Sequence, residues 1–166
     1  MITPETIVAA FLAIFPYMNG NNRQCIEQQQ PRIIHQLREV AQPTVPGLPA
    51  PPVELTASVA FLETHLGCDI NEGGNWGAPV SATRRHTAGT HMHAVHALSV
   101  GYVRCGSWEG AVRRFRTGLC NPERQSQNSV VQRQGTLYLR TVNSIMDRLV
   151  RYNTNPFARP ITRGQH

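Results

Sequence analysis

The chain has 166 residues, a hydrophobic content of 40% and a formal net charge of +6, with a pI near 9.8. That length and apolar fraction predict one globular domain and exclude a chain too small or too polar for a real core. No lysine occurs, so every fixed positive charge is an arginine, a side chain suited to carboxylates and phosphates. No helix-turn-helix, RNP, KH or zinc-finger pattern accompanies that charge, so nucleic acid is not an expected partner.

Thr3 is placed to cap a first helix, with Pro4 at its first position and Glu5 in its first turn. Ile7, Val8, Phe11, Leu12 and Phe15 form its apolar face. The apolar run is short and amphipathic and no basic segment precedes it. It reads as neither a standard signal peptide nor a membrane span. Residues 19–22 read as a turn and 23–30 as polar, and Pro31 either kinks a helix or opens one. Ile33, Ile34, Leu37, Val40 and Ala41 make a second stripe. Pro43, Pro46, Pro49, Pro51 and Pro52 mark residues 42–52 as an extended connector into the next helix.

Leu55, Val59, Leu62 and Leu66 recur at steps of four, three and four, which predicts a helix with one apolar face. Gly67 is its expected stop. Glu63 lies beside the stripe near the C-terminal end, among Ala60 and Leu62. The negative end of the helix and the apolar neighbours both favour the protonated carboxyl there. A protonated acid is what glycosidic cleavage needs, because the leaving oxygen must receive a proton. Residues 69–79 then hold Asn71, Gly73, Gly74, Asn75 and Gly77 around the single aromatic Trp76. That composition suits a shaped loop beside a cleft, with Trp76 as a platform for a sugar face. Any strand would be a small hairpin at 69–80.

Residues 81–89 are polar and basic, with Arg84, Arg85 and His86. Thr90 is a cap for a helix from His91 to about Arg104, with Met92, Val95, Leu98, Tyr102 and Val103 facing inward. His91, His93 and His96 form H-x-H-x-x-H, but only His93 and His96 share a face, so no metal is assigned. Gly106 stops that helix, and Ser107 caps a short one carrying Trp108, Ala111, Val112 and Phe115, with Arg113, Arg114 and Arg116 outward. Trp108, one residue past the cap, is read as core. Residues 119–134 read as mostly irregular, with Asn121-Pro122 as a turn signal. A last long helix starts at Thr136 and runs through Leu137, Leu139, Val142, Ile145, Met146, Leu149 and Val150; 153–166 is read as an arm. Cys25, Cys68, Cys105 and Cys120 allow three pairings. A bridge from Cys68 or Cys105 to Cys120 would pin the cleft loops.

The order of these pieces is the most informative feature. A helix ending L-E-T-H-L-G-C, a loop with G-N-W-G-A-P, a long helix, R-R-F-R-T-G-L-C and a final helix opening Y-L-R resembles the lysozyme-like lytic transglycosylase superfamily. In that family a helix ending E-S-G-F carries the single catalytic Glu. A Gly-rich loop and a Y-N-A-G-type segment face the cleft, and a tyrosine lies on the last helix. The resemblance covers roughly the last two-thirds of the chain. It implies a mainly α, lysozyme-like domain at 1–152, with N-terminal helices and connector at 1–52 and a catalytic core at 53–152.

It also implies site residues. Glu63 matches the acid/base, and Asn75, Trp76, Gly77 and Ala78 match the cleft loop. Phe115 stands at the start of the Y-N-A-G-like segment, and Tyr138 matches the last-helix tyrosine. Outside the resemblance, Asp69 and Glu72 are the only acids soon after Glu63, and either one facing it across the cleft would supply the second carboxylate of a hydrolase. Thr64 stands where the family has serine, W-G-A-P where it has G-L-M-Q, and Phe115 where it has tyrosine. The expected activity is cleavage of peptidoglycan glycan, without metal or cofactor, in the periplasm or extracellular wall or from a virion or injection particle. A binding module on the same fold is the alternative.

Overall fold

The computed structural model describes residues 2–15, 18–42, 46–68, 76 and 90–155. The described residues form eight α-helices and no strand. They are α1 (Pro4–Ile14), α2 (Gly20–Gln28), α3 (Gln30–Val40), α4 (Val53–Thr64), α5 (Thr90–Cys105), α6 (Trp108–Thr117), α7 (Pro122–Gln125) and α8 (Ser129–Thr154). The mainly α class is therefore as expected. The segment proposed as a hairpin, apart from Trp76, lies outside the described residues.

Helix α4 is the centre of the packing. Every residue from Leu55 to Phe61 is buried, so it is apolar all round and not on a single face, as befits a helix enclosed by others. It meets α3, α5 and α8. The hydroxyls of Thr56 and Ser58 enter this core by donating to the carbonyls of Pro52 and Glu54, at 3.3 and 2.7 Å, which satisfies them inside the helix. Against α4 lies α1, capped by Thr3, whose hydroxyl oxygen accepts from the Thr6 N–H at 3.2 Å. The Phe11 and Phe61 rings stack at 4.3 Å, and Phe15 meets Phe61 at 4.7 Å.

The stretch 19–22 is not a free turn. Asn19 caps α2, its side chain accepting from the Asn21 N–H at 3.0 Å, and Asn22 and Ile26 are buried. Pro31 falls in the first turn of α3, the opening role of the two expected. Helices α5 and α6 form the most extensive pair. Glycine makes that approach feasible: a Cβ on Gly101 would stand 3.0 Å from the Ala111 Cα, and one on Gly110 would stand 2.6 Å from the Cys105 Cβ. Gly106 (φ 73°) ends α5 and the Ser107 hydroxyl caps α6, as the sequence predicts. Val103, expected inward, is 59% exposed, because it falls off the Val95–Leu98 row that meets the core.

The C-terminal third is more helical than expected. Instead of an irregular 119–134, α7 forms at Pro122 and α8 begins at Ser129, its cap Asn128 accepting from the Val130 N–H at 2.9 Å. The polar residues there bond locally: the Gln132 amide donates to the Ser126 carbonyl at 2.7 Å, and Thr136 hydrogen-bonds Glu123. A Cβ on Gly135 would stand 2.5 Å from the Pro122 ring, so glycine inside α8 is where α7 seats. Helix α8 runs to Thr154, past the predicted boundary at 152; residues 156–166 of the predicted arm lie outside the described residues. The bridges are Cys25–Cys68 and Cys105–Cys120. The second is one of the two pairings singled out. The first corrects the other, since Cys68 turns toward α2.

Candidate active site around Glu63

Glu63 stands in the last turn of α4, and the backbone just beyond it is unusual. The helix ends at Thr64, three residues before the predicted glycine stop, and His65, Leu66 and Gly67 are all left-handed, with φ of 49°, 60° and 78°. For each non-glycine residue that conformation costs on the order of 1–2 kcal/mol. Tertiary structure holds it. The N–H groups of His65 and Leu66 donate to the carbonyls of Phe61 and Ala60 at 3.0 and 3.1 Å. The Thr64 hydroxyl donates to Ala60 O at 3.2 Å and accepts from the Gly67 N–H at 3.0 Å. The Leu66 side chain is fully buried, and Cys68 is tied to Cys25 on α2. The hydroxyl at position 64 thus shapes the turn that carries Glu63.

The Glu63 side chain is 21% exposed and lies 3.8 Å from the guanidinium of Arg116. Arg116 also sits over the Tyr138 ring, 5.8 Å from its centroid, and Phe115 stacks on that ring at 6.5 Å with the planes 9° apart. The Tyr138 hydroxyl is buried, with no hydrogen-bond partner among the described residues. Burial, and after it the facing Glu63 carboxylate, hold the phenol far above its ordinary range, with Arg116 opposing. The α4 terminus, α6 and α8 therefore bring Glu63, Phe115, Arg116 and Tyr138 together.

The family resemblance implies that Phe115 and Tyr138 touch substrate. They are only 8% and 7% exposed, so they form the floor behind Glu63, and the reachable groups are Glu63 and Arg116. The outward arginine is visible in the sequence, but its pairing with Glu63 is not, because the two lie on helices far apart in the chain. Asn75, Gly77, Ala78, Asp69 and Glu72 lie outside the described residues, as do Arg84, Arg85 and His86. Trp76 is fully buried, its ring centroid 5.7 Å from that of His91 in an edge-on arrangement and its indole N–H without a partner among the described residues. The sugar-platform expectation is corrected: the indole has no free face, because it fills the core beside α5. Trp108, read as core, is partly buried and packs at 4.3 Å on Tyr102.

A second polar constellation, which sequence reasoning misses, lies behind the Glu63 turn. Arg32 donates through Nη1 to Gln36 Oε1 at 3.0 Å and through Nη2 to the Leu66 carbonyl at 3.5 Å. Since Gln36 Oε1 is taken, its Nε2 donates to His91 Nδ1 at 3.3 Å, and His91 Nε2 donates to Glu39 at 2.7 Å. Each partner's chemistry fixes the next: the imidazole is neutral and carries its proton on Nε2. Both ring nitrogens are thus occupied by protein groups. Among the described residues no group of three or more His, Cys, Asp or Glu is placed to hold a metal. The spacing of Arg32, Gln36 and Glu39 on one face of α3 is the signal the sequence offers.

No helix among the described residues is long and apolar enough to cross a membrane. The chain matches no family model, no curated protein and no solved structure.

Proposed function

We propose that the protein cleaves the glycan of peptidoglycan as a lytic transglycosylase of lysozyme-like fold, with Glu63 as acid and then base. One observation carries this reading. Glu63, Phe115 and Tyr138 come from three separate stretches that the sequence resemblance pairs with a catalytic glutamate, a cleft segment and a last-helix tyrosine, and they meet in one cluster. In the proposed reaction Glu63 protonates the departing glycosidic oxygen. It then takes a proton from the substrate's own hydroxyl as that oxygen attacks the anomeric carbon, giving an anhydro-sugar. Arg116 would sit beside the departing sugar, and the basic surface would favour a wall bearing carboxylates and phosphates. Such a protein acts in the periplasm or the extracellular wall, including from a virion or injection particle.

The Glu63–Arg116 pair favours a second reading, a wall-binding or particle-structural module in which the carboxylate is already engaged. Mass spectrometry of purified sacculi after incubation separates the readings. Anhydro-muropeptides support the transglycosylase, and new reducing ends indicate a hydrolase. Sacculi that retain the protein but release nothing support the binding module.

A further inference from the structure

The left-handed turn behind Glu63 is held by a chain of polar groups, half-buried at Arg32 and buried at Gln36, that ends on a titratable ring. The Arg32 guanidinium reaches both the Leu66 carbonyl and, at 3.9 Å, the Cys68 sulfur. Its orientation depends on Gln36 Oε1, and the orientation of the Gln36 amide depends on an unprotonated Nδ1 of His91. We propose that Arg32 is a positioning residue for the Glu63 turn, and that neutral His91 is an acid-sensitive latch holding Arg32 in place.

The physics is a clash of donors. A proton on Nδ1 would point an N–H at the Gln36 amide N–H₂. Rotating that amide removes this conflict but turns the same N–H₂ onto the Arg32 guanidinium. One contact is lost in either arrangement. Arg32 already holds an outer contact through Nε to the Gln29 side-chain oxygen at 3.4 Å, which it can keep when Nη2 leaves the Leu66 carbonyl. Two non-glycine left-handed residues then lose a tether, and their strain favours relaxation.

The groups acting on His91 pull in both directions, and the net effect is depression. Burial, the largest influence, holds its pKa below the ordinary value; the hydrogen bond and charge of Glu39 oppose, while His35 and Arg32 add to the depression. All three charged groups are on α3, and His35 itself lies 3.6 Å from Glu39. Trp76 contributes an uncharged ring edge. With the latched pKa below the unlatched one, protons bind preferentially to the released form. The latch is therefore fully closed above about pH 6.5 and opens as pH falls below it.

The inference concerns the turn itself and stands whether or not Glu63 cleaves glycan, because its readout is amide exchange on the full chain. Protection of the Leu66 and Cys68 amides is measured by NMR between about pH 7.5 and pH 5, with Val142 and Ile145 of α8 as reference. Turn protection should fall by up to about tenfold per pH unit below about 6.5 while α8 holds. His91→Gln, neutral throughout, should flatten that slope, and Arg32→Gln should lower turn protection already at about pH 7.5. Imidazole nitrogen shifts of the unaltered protein should show the Nε2–H tautomer, which needs no variant to fold. An Nδ1–H tautomer, a turn that stays protected while His91 titrates, an equal slope in His91→Gln, or parallel loss in α8 would each overturn the proposal.

Discussion

The Arg116 guanidinium lies 3.8 Å from the Glu63 carboxylate and 5.8 Å from the centroid of the Tyr138 ring, so one cation closes two sides of the candidate site. Its side chain is 48% exposed. An ion pair that open to solvent contributes at most about 1 kcal/mol, so it orients Glu63 without locking it away from a substrate. The aromatic floor of Phe115 and Tyr138 is the less adjustable part, being buried on both α6 and α8.

Replacing Glu63 by Gln keeps the shape and removes only the weak pair, so the denaturation midpoint should move little. Sacculus lysis should fall by about a hundredfold or more, as expected for loss of a positioned general acid. Lysis at the original rate by a variant with an unchanged melt would remove Glu63 from the chemistry.

Tyr138→Phe tests the floor. The hydroxyl is buried facing the Glu63 carboxylate but does not close a well-formed hydrogen bond among the described residues, so deleting it removes a desolvation cost and at most a long, weak contact. Stability should hold or rise by up to about 1 kcal/mol, while lysis slows if the hydroxyl positions Glu63. A loss of more than about 1 kcal/mol would reveal a hydrogen bond that the geometry does not contain.

Much of this architecture is legible in the sequence, and the failures have physical causes. Caps at Thr3 and Ser107, the stop at Gly106 and the α5 boundaries are local chemistry, readable from a few adjacent residues. The sequence places the start of α8 too late because Ser129–Gly135 has only Val130 and Val131 as apolar residues and contains glycine, and its helicity rests on the Asn128 cap and on docking to α7. Helix α4 reads as amphipathic because Thr56 and Ser58 look polar, yet they satisfy themselves on the backbone and go inside. The Glu63 turn is invisible in the same way: nothing local in His65 and Leu66 asks for left-handed backbone, which the burial of Leu66 and the tether at Cys68 impose.

The two bridges should separate in their effects. Cys105–Cys120 spans 15 residues and Cys25–Cys68 spans 43. Chain-entropy arguments assign them about 3 and about 4 kcal/mol. Paired Cys→Ala changes at 105 and 120 should lower stability yet preserve lysis per folded molecule. The same change at 25 and 68 should also reduce lysis, since Cys68 anchors the turn behind Glu63. Equal loss of lysis in both variants, at matched folded fraction, would argue against that anchoring.

Gly135→Ala sets helix propensity against packing. Propensity alone would add about 1 kcal/mol of stability. The new methyl would meet the Pro122 ring at 2.5 Å, with Thr117 at 3.4 Å on another side, and overpacking of that kind costs about 1–3 kcal/mol. Net destabilisation is expected, read as a lower thermal midpoint. A rise in the midpoint would mean that α7 yields without cost.

Trp76→Ala decides what the indole is for. The ring is fully buried and meets His91 edge-on at 5.7 Å, so it touches the polar latch from its apolar side. Removing it should cost about 3–5 kcal/mol, as other large-to-small core changes do. It should also admit water to His91, weakening the burial that keeps the imidazole neutral. The His91 titration should then move back toward its ordinary value as stability falls. Glycan affinity per folded molecule should stay constant, because no indole face is open to a sugar. A variant that keeps its melting temperature but loses glycan affinity would reverse the assignment and return Trp76 to the cleft wall.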